Sequence, residues 1–153
     1  MFKELDIDNP LLSWEYHNII LGLDFNNTCQ PYIANMDEYE IKIACWKPEY
    51  IFKNTELYKK MIDLQSKYEY LDICEVDFVR YPKRAWLPWH KDPSAYAIIW
   101  PITPTTNVKI EYKTKETYVR KTKPVFLNSE VEHRTHPCDE DIIFFRLGVN
   151  KYV

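Results

Sequence analysis

Glycine is almost missing from this 153-residue chain, which has two, so its turns cannot rely on the residue that most easily adopts left-handed backbone. Asn, Asp and ten prolines must carry that work, and several prolines stand at apparent strand boundaries. No segment approaches the roughly eighteen continuous apolar residues of a membrane span. The opening MFKELDID has neither the basic start nor the apolar stretch of a secretory leader. A soluble, cytoplasmic protein with no membrane partner is therefore expected. Charge of one sign is also lacking: 20 Lys+Arg against 23 Asp+Glu leave a net charge of -3, so no overall field draws the chain to nucleic acid. Cysteine is sparse and scattered. Cys29, Cys45, Cys74 and Cys138 form no CxxC pair, which argues for reduced, partly buried thiols rather than disulfides or a zinc site.

What the chain does have is apolar surface, 46% of its residues, enough for one respectable core. A single domain over 1–153 is expected, with 1–70 as helical or mixed support and 71–153 as a β-core carrying the site. Leu12, Tyr16, Ile19, Ile20 and Leu23 recur near helical spacing within 11–23. Residues 40–46 alternate like a strand. Asn54 offers an N-cap for a helix over 55–68, where Leu57, Met61, Leu64 and Tyr68 share one side. From Leu71 onward the pattern breaks into short β-like runs at 73–81, 85–90, 96–103, 108–112, 117–120, 124–128 and 142–149. That density predicts a mainly β fold, a β-sandwich or open barrel with the early helices packed on an outer face.

The chemistry concentrates in the second half. His90 and Asp92 are two apart, so on an extended strand both project to one face while Lys91 points away. Pro88 and Pro93 restrict the backbone on either side. About forty residues on, the apolar run 124–128 delivers a loop ending at His133, with His136 three residues later. Two imidazoles and one carboxylate on one face of a first-row metal leave the opposite positions open, the arrangement that non-haem Fe(II) oxygenases use for co-substrate and dioxygen. Arg146 sits among large apolar residues and needs an anionic partner. Its planar fork suits the far carboxylate of a dicarboxylic acid; a core Asp or Glu, or solvent at an edge strand, would serve equally.

The runs FVRYP (78–82), LPWHKD (87–92), AIIWPIT (97–103) and FLNS (126–129), with His133 and Phe145-Arg146, resemble the 2-oxoglutarate- and Fe(II)-dependent oxygenase superfamily. Small, phage-type relatives of the aspartyl/asparaginyl β-hydroxylases are nearest in pattern. The resemblance covers residues 71 to 149. It implies a double-stranded β-helix, the cupin-like jelly roll, with iron near its open end and a host-cytoplasmic location if the gene is phage-borne. It also implies His90, Asp92 and His133 as metal ligands and Arg146 as the partner of the 2-oxoglutarate C5 carboxylate. Tyr81, Asn128 and Ser129 become candidate donors to the co-substrate. The family's spacing favours His133 over His136.

The implied activity is a dioxygenase hydroxylating a protein, peptide or small molecule, with Fe(II) as cofactor and 2-oxoglutarate as co-substrate. Two other classes compete: a cupin-like metal protein with non-oxidative chemistry, and a non-enzymatic β-sandwich interaction module. Trp86, Trp89, Trp100 and Tyr96 crowd the HKD stretch and read as packing before pocket. The basic run from Lys109 to Lys123 reads as a solvated hairpin before a nucleic-acid surface. His17 reads as a surface or core histidine outside the site.

Overall fold

Strict alternation along the C-terminal apolar run explains how one strand serves two cores. In a computed structural model that describes residues 2–22, 32–36, 39–46, 55–104 and 107–150, this run is strand β11 (Ile142–Val149). Ile143, Phe145, Leu147 and Val149 face the helices, while Ile142 and Phe144 face a second, inter-sheet core. The other strands are β1 (Phe2–Glu4), β2 (Tyr32–Met36), β3 (Tyr39–Trp46), β4 (Ile73–Tyr81), β5 (Leu87–His90) and β6 (Tyr96–Pro101). After them come β7 (Val108–Tyr112), β8 (Thr117–Arg120), β9 (Val125–Asn128) and β10 (His133–Thr135).

A seven-stranded sheet runs β1-β9-β6-β11-β4-β3-β2, and a four-stranded sheet runs β5-β10-β7-β8. All pairings are antiparallel. From β4 to β11 successive strands cross between the two sheets except at the β7–β8 hairpin, which stays in the small sheet; this is the order of a double-stranded β-helix, the jelly roll expected from the resemblance. The expected strands at 73–81, 108–112, 117–120 and 142–149 are present at those bounds. The three-residue strand β10 stands where a loop was expected, because its pairing with β5 and β7 is wholly non-local. The first third also contributes more than helices and one strand, since β1 and β2 join the large sheet as well.

Helix α1 (Trp14–Leu21) is capped by the Ser13 hydroxyl, which accepts from the Glu15 and Tyr16 amides. It buries Tyr16, His17 and Ile20, while Ile19 stays exposed. Helix α2 (Glu56–Lys67) buries Leu57, Met61 and Leu64. Its cap is Thr55, which accepts from the Tyr58 amide; Asn54, the expected cap, lies outside the described residues. Both helices cover the large sheet, against Phe78, Ile98, Trp100 and Phe145. Trp100 is fully buried there, with Tyr68 edge-on at 5.5 Å. Among the described residues no helix is long and apolar enough to cross a membrane. Cys74 and Cys138 are free thiols, and Cys74 is exposed rather than partly buried; Cys29 lies outside the described residues.

The scarcity of glycine has a visible cost. Left-handed backbone falls on Arg84 (φ 67°) and on Lys115 (φ 73°) in the turn between β7 and β8. A side chain there costs about 1–2 kcal/mol. Replacing Lys115 by Gly removes that strain but enlarges the unfolded ensemble; the expected net result is a gain of up to about 1 kcal/mol in urea unfolding. His17 is buried, and its Nδ1 shares a 2.8 Å hydrogen bond with the Thr103 hydroxyl, which also accepts from the Ile143 amide at 2.9 Å. Thr103→Val leaves both groups unsatisfied in the interior and should lower stability by about 1–3 kcal/mol in the same measurement.

Candidate metal centre

The small sheet sets His133 on β10 directly opposite His90 on β5. Their rings lie 4.5 Å apart, centroid to centroid. The local solution is the same on both strands: each imidazole turns its Nδ1 back to the carbonyl two residues earlier. For His90 the acceptor is Pro88 at 2.7 Å, and for His133 it is Val131 at 2.8 Å. A carbonyl can only accept, so each Nδ1 carries the proton and each Nε2 is left with its lone pair. Those two Nε2 atoms point at Asp92, at 3.3 Å from Oδ1 and 3.6 Å from Oδ2. The three ligand atoms lie within 4.8 Å of one another, close enough to hold one metal ion.

Asp92 reaches this position by leaving the strand. β5 ends at His90, and the Asp92 amide donates to the Ser129 carbonyl at 3.2 Å, tying the turn to the end of β9. The extended backbone stops there, so Asp92 comes to the histidines from a turn, while Lys91 beside it is exposed. Burial alone would lower the His90 pKa, but the Asp92 carboxylate and the Pro88 carbonyl outweigh it and raise it. Burial wins at His133, whose pKa falls despite the Val131 carbonyl and Asp92. At Asp92 burial is overcome by His90, His133 and Arg146, and the carboxylate titrates below its usual range. The Tyr112 ring packs 5.5 Å from His133, and burial pushes its phenol well up.

The triad stands at one end of a cavity of about 350 Å³ between the two sheets. Val79, Ile99, Leu127 and Phe144 of the large sheet and Val108 and Ile110 of the small sheet form its apolar wall. Tyr81 and Arg146 also line it. Asn128 does not: its side chain accepts from the Glu130 amide in the turn after β9. Ser129 is fully buried with its hydroxyl unpartnered, and it serves the site through its backbone. His136 is bound to Glu111 at 2.9 Å and takes no part in the triad. Of the aromatic group, Trp89 lies beside Arg134 and Lys113, Tyr96 stacks on Phe126, and neither lines the cavity. In the basic hairpin, Lys113 pairs with Glu132 and Lys123 with Asp6, both on the exposed surface.

Two carboxylates escaped the sequence reading. Arg146 pairs in register with Asp77 and forms a two-pronged ion pair with it, at 3.0 Å and 2.7 Å; Glu75 lies 3.3 Å from the same guanidinium. The signal was present in ICEVDFVRY, where Glu75 and Asp77 are two apart on a strand-like run, and hence on one face.

No family model and no curated protein matches the sequence. Solved structures do. The viral collagen prolyl hydroxylase of Paramecium Bursaria Chlorella virus-1, in its 2-oxoglutarate complex, aligns with a TM-score of 0.54 over 99% of this chain and 96% of that one, at 11% identity. An oxidoreductase of the 2OG-Fe(II) oxygenase family from Burkholderia pseudomallei gives 0.50 over 81% and 76%, at 10% identity. What they share with this chain is the double-stranded β-helix. At such identity the likeness concerns the fold, and chemistry must be argued from the side chains.

The donor set suits a divalent first-row metal: two neutral imidazoles with fixed tautomers and one ionised carboxylate. His90→Ala and Asp92→Ala should each weaken Mn(II) or Fe(II) binding by more than about 100-fold, since loss of an outer-sphere partner alone costs 10–100-fold. Calorimetry checks this. Unfolding free energy should stay within roughly 1 kcal/mol of the parent, as expected away from the packed core.

Proposed function

We propose that this chain is an Fe(II)- and 2-oxoglutarate-dependent dioxygenase that hydroxylates a protein, peptide or small molecule. The narrower likeness to small phage-type relatives of the aspartyl/asparaginyl β-hydroxylases, and a cytoplasmic location, belong to the same proposal. The observation that carries it is the sharing of one cavity by a two-histidine, one-carboxylate cluster and a guanidinium. The residues fit both groups. His90, Asp92 and His133 would hold iron through donors already oriented by backbone carbonyls. Arg146, which lines the same cavity as the triad, would hold the far carboxylate of the co-substrate through its planar guanidinium.

When bound, iron and 2-oxoglutarate together supply the oxidising power, with decarboxylation to succinate. The chain supplies placement and dryness. His90, Asp92 and His133 would hold the metal at the cavity, and the apolar wall that includes Val79 and Phe144 would limit water beside the reacting groups. Tyr81, which lines the same cavity, would add a hydroxyl to the co-substrate cradle.

The test is anaerobic addition of Fe(II) and 2-oxoglutarate, followed by admission of oxygen. A visible charge-transfer band and succinate release are expected. Arg146→Lys keeps the charge beside Asp77 and Glu75 but loses the planar fork, and should weaken 2-oxoglutarate binding by about tenfold. Metal binding with no 2-oxo acid binding would turn the reading to cupin-like, non-oxidative chemistry. A retained fold with no metal binding would leave a non-enzymatic module.

A further inference from the structure

Arg146 already has carboxylates beside it. Asp77, its register partner, engages Nε and Nη2 with both oxygens at 3.0 Å and 2.7 Å. This is a strong, directional pair that fixes the plane of the guanidinium. Glu75 meets the same Nη2 through one oxygen at 3.3 Å, and that oxygen, Oε2, is buried without a hydrogen bond. The Glu75 side chain is 26% exposed, twice as much as Arg146 at 13%, so it has a way out toward solvent.

The neighbouring backbone makes room for it. Gly148 has no positive φ, so its conformation does not demand glycine. A Cβ there would lie 3.0 Å from both Cβ and Oε2 of Glu75 and 3.1 Å from Cβ of Ser94. One of the chain's two glycines is thus spent on the space in which the Glu75 carboxylate rests against Arg146. A single guanidinium cannot satisfy three carboxylates at close range, because the like charges repel in a poorly solvated site. The one held by the fewest contacts must yield.

We propose that Glu75 is an internal stand-in for the co-substrate carboxylate. It pairs with Arg146 until a dicarboxylic 2-oxo acid enters and displaces it, and so sets the affinity of the site for that class over monocarboxylic 2-oxo acids. Asp77 is the positioning residue that keeps the fork aimed during the exchange. This inference rests on the function proposed above. Burial, with Asp77 and Asp92 nearby, raises the Glu75 pKa against the pull of Arg146.

The experiment is calorimetry on the full chain loaded with Mn(II), with two ligands: N-oxalylglycine, a non-reacting dicarboxylic analogue of 2-oxoglutarate, and pyruvate, which lacks the far carboxylate. Glu75→Gln, nearly isosteric, should tighten N-oxalylglycine by about tenfold and pyruvate by less than about threefold, because only the former competes for the guanidinium. Asp77→Asn should act in the opposite sense and loosen N-oxalylglycine. Glu75→Ala should reproduce the gain if glutamine packs poorly. Equal gains for both ligands would overturn the proposal, since they would report only the removal of a negative charge. No gain, or a loss, would also overturn it and make Glu75 an ordinary counter-ion. Metal binding with no 2-oxo acid bound by any variant would overturn the proposed function together with this inference; pyruvate binding with unaltered N-oxalylglycine affinity would overturn the role of Glu75 alone.

Discussion

The cross-strand pair of His90 and His133 governs the candidate site. Strands β5 and β10 are four and three residues long, too short to hold a register by their own ladder, and a slip by one residue would turn both imidazoles to the outer face. Pairing of β10 with β7, where Tyr112 stands opposite His133, holds that register from the other side. The Nδ1 bonds to Pro88 and Val131 then convert strand geometry into nitrogen lone pairs aimed at one point. Asp92 completes the cluster only because its amide is anchored to Ser129, on a segment continuous with the large sheet. The small sheet therefore supplies both histidines, and a segment continuous with the large sheet positions the carboxylate beside them.

Division of labour between two cores makes this arrangement affordable in stability. The helix-side core, built around Trp100, Phe145, Met61 and Ile20, contains fully buried side chains and leaves the inter-sheet space free to remain partly open. A cavity of about 350 Å³ inside a sheet sandwich would weaken a protein that depended on that sandwich alone. Here β4, β6 and β11 present one face to a dense core and the other to the cavity, so rigidity and access come from opposite sides of the same strands. The cost of placing charge in that cavity is offset by pairing: Arg146 is surrounded by Asp77 and Glu75, and Asp92 by two imidazoles.

Much of this was legible in the amino-acid order, and the parts that were not share a cause. The long apolar strands and helix α2 were readable because periodicity is local and survives in the sequence. The three-residue β10, by contrast, has no pattern of its own, and β1 gains its identity by lying against β9. His90 and Asp92 were found by spacing, yet strand alternation accounts only for His90: Asp92 meets the two histidines from the turn that follows β5. Asn128 was nominated from the resemblance and is turned to Glu130, on the face that alternation assigns to it.

The sequence by itself determined the two periodicities, the jelly-roll character of 71–153 implied by resemblance, and the list of side chains capable of binding a metal. It could do so because strand alternation, helix spacing and donor chemistry are properties of neighbours in the chain. Only the tertiary structure decided that His133 rather than His136 joins His90 and Asp92, since Glu111 on a separate strand claims His136. It alone revealed that the Arg146 guanidinium is shared with Asp77 and Glu75, about seventy residues earlier in the chain. Those outcomes depend on which strands lie side by side, and strand neighbours in an antiparallel sheet are set by long-range register.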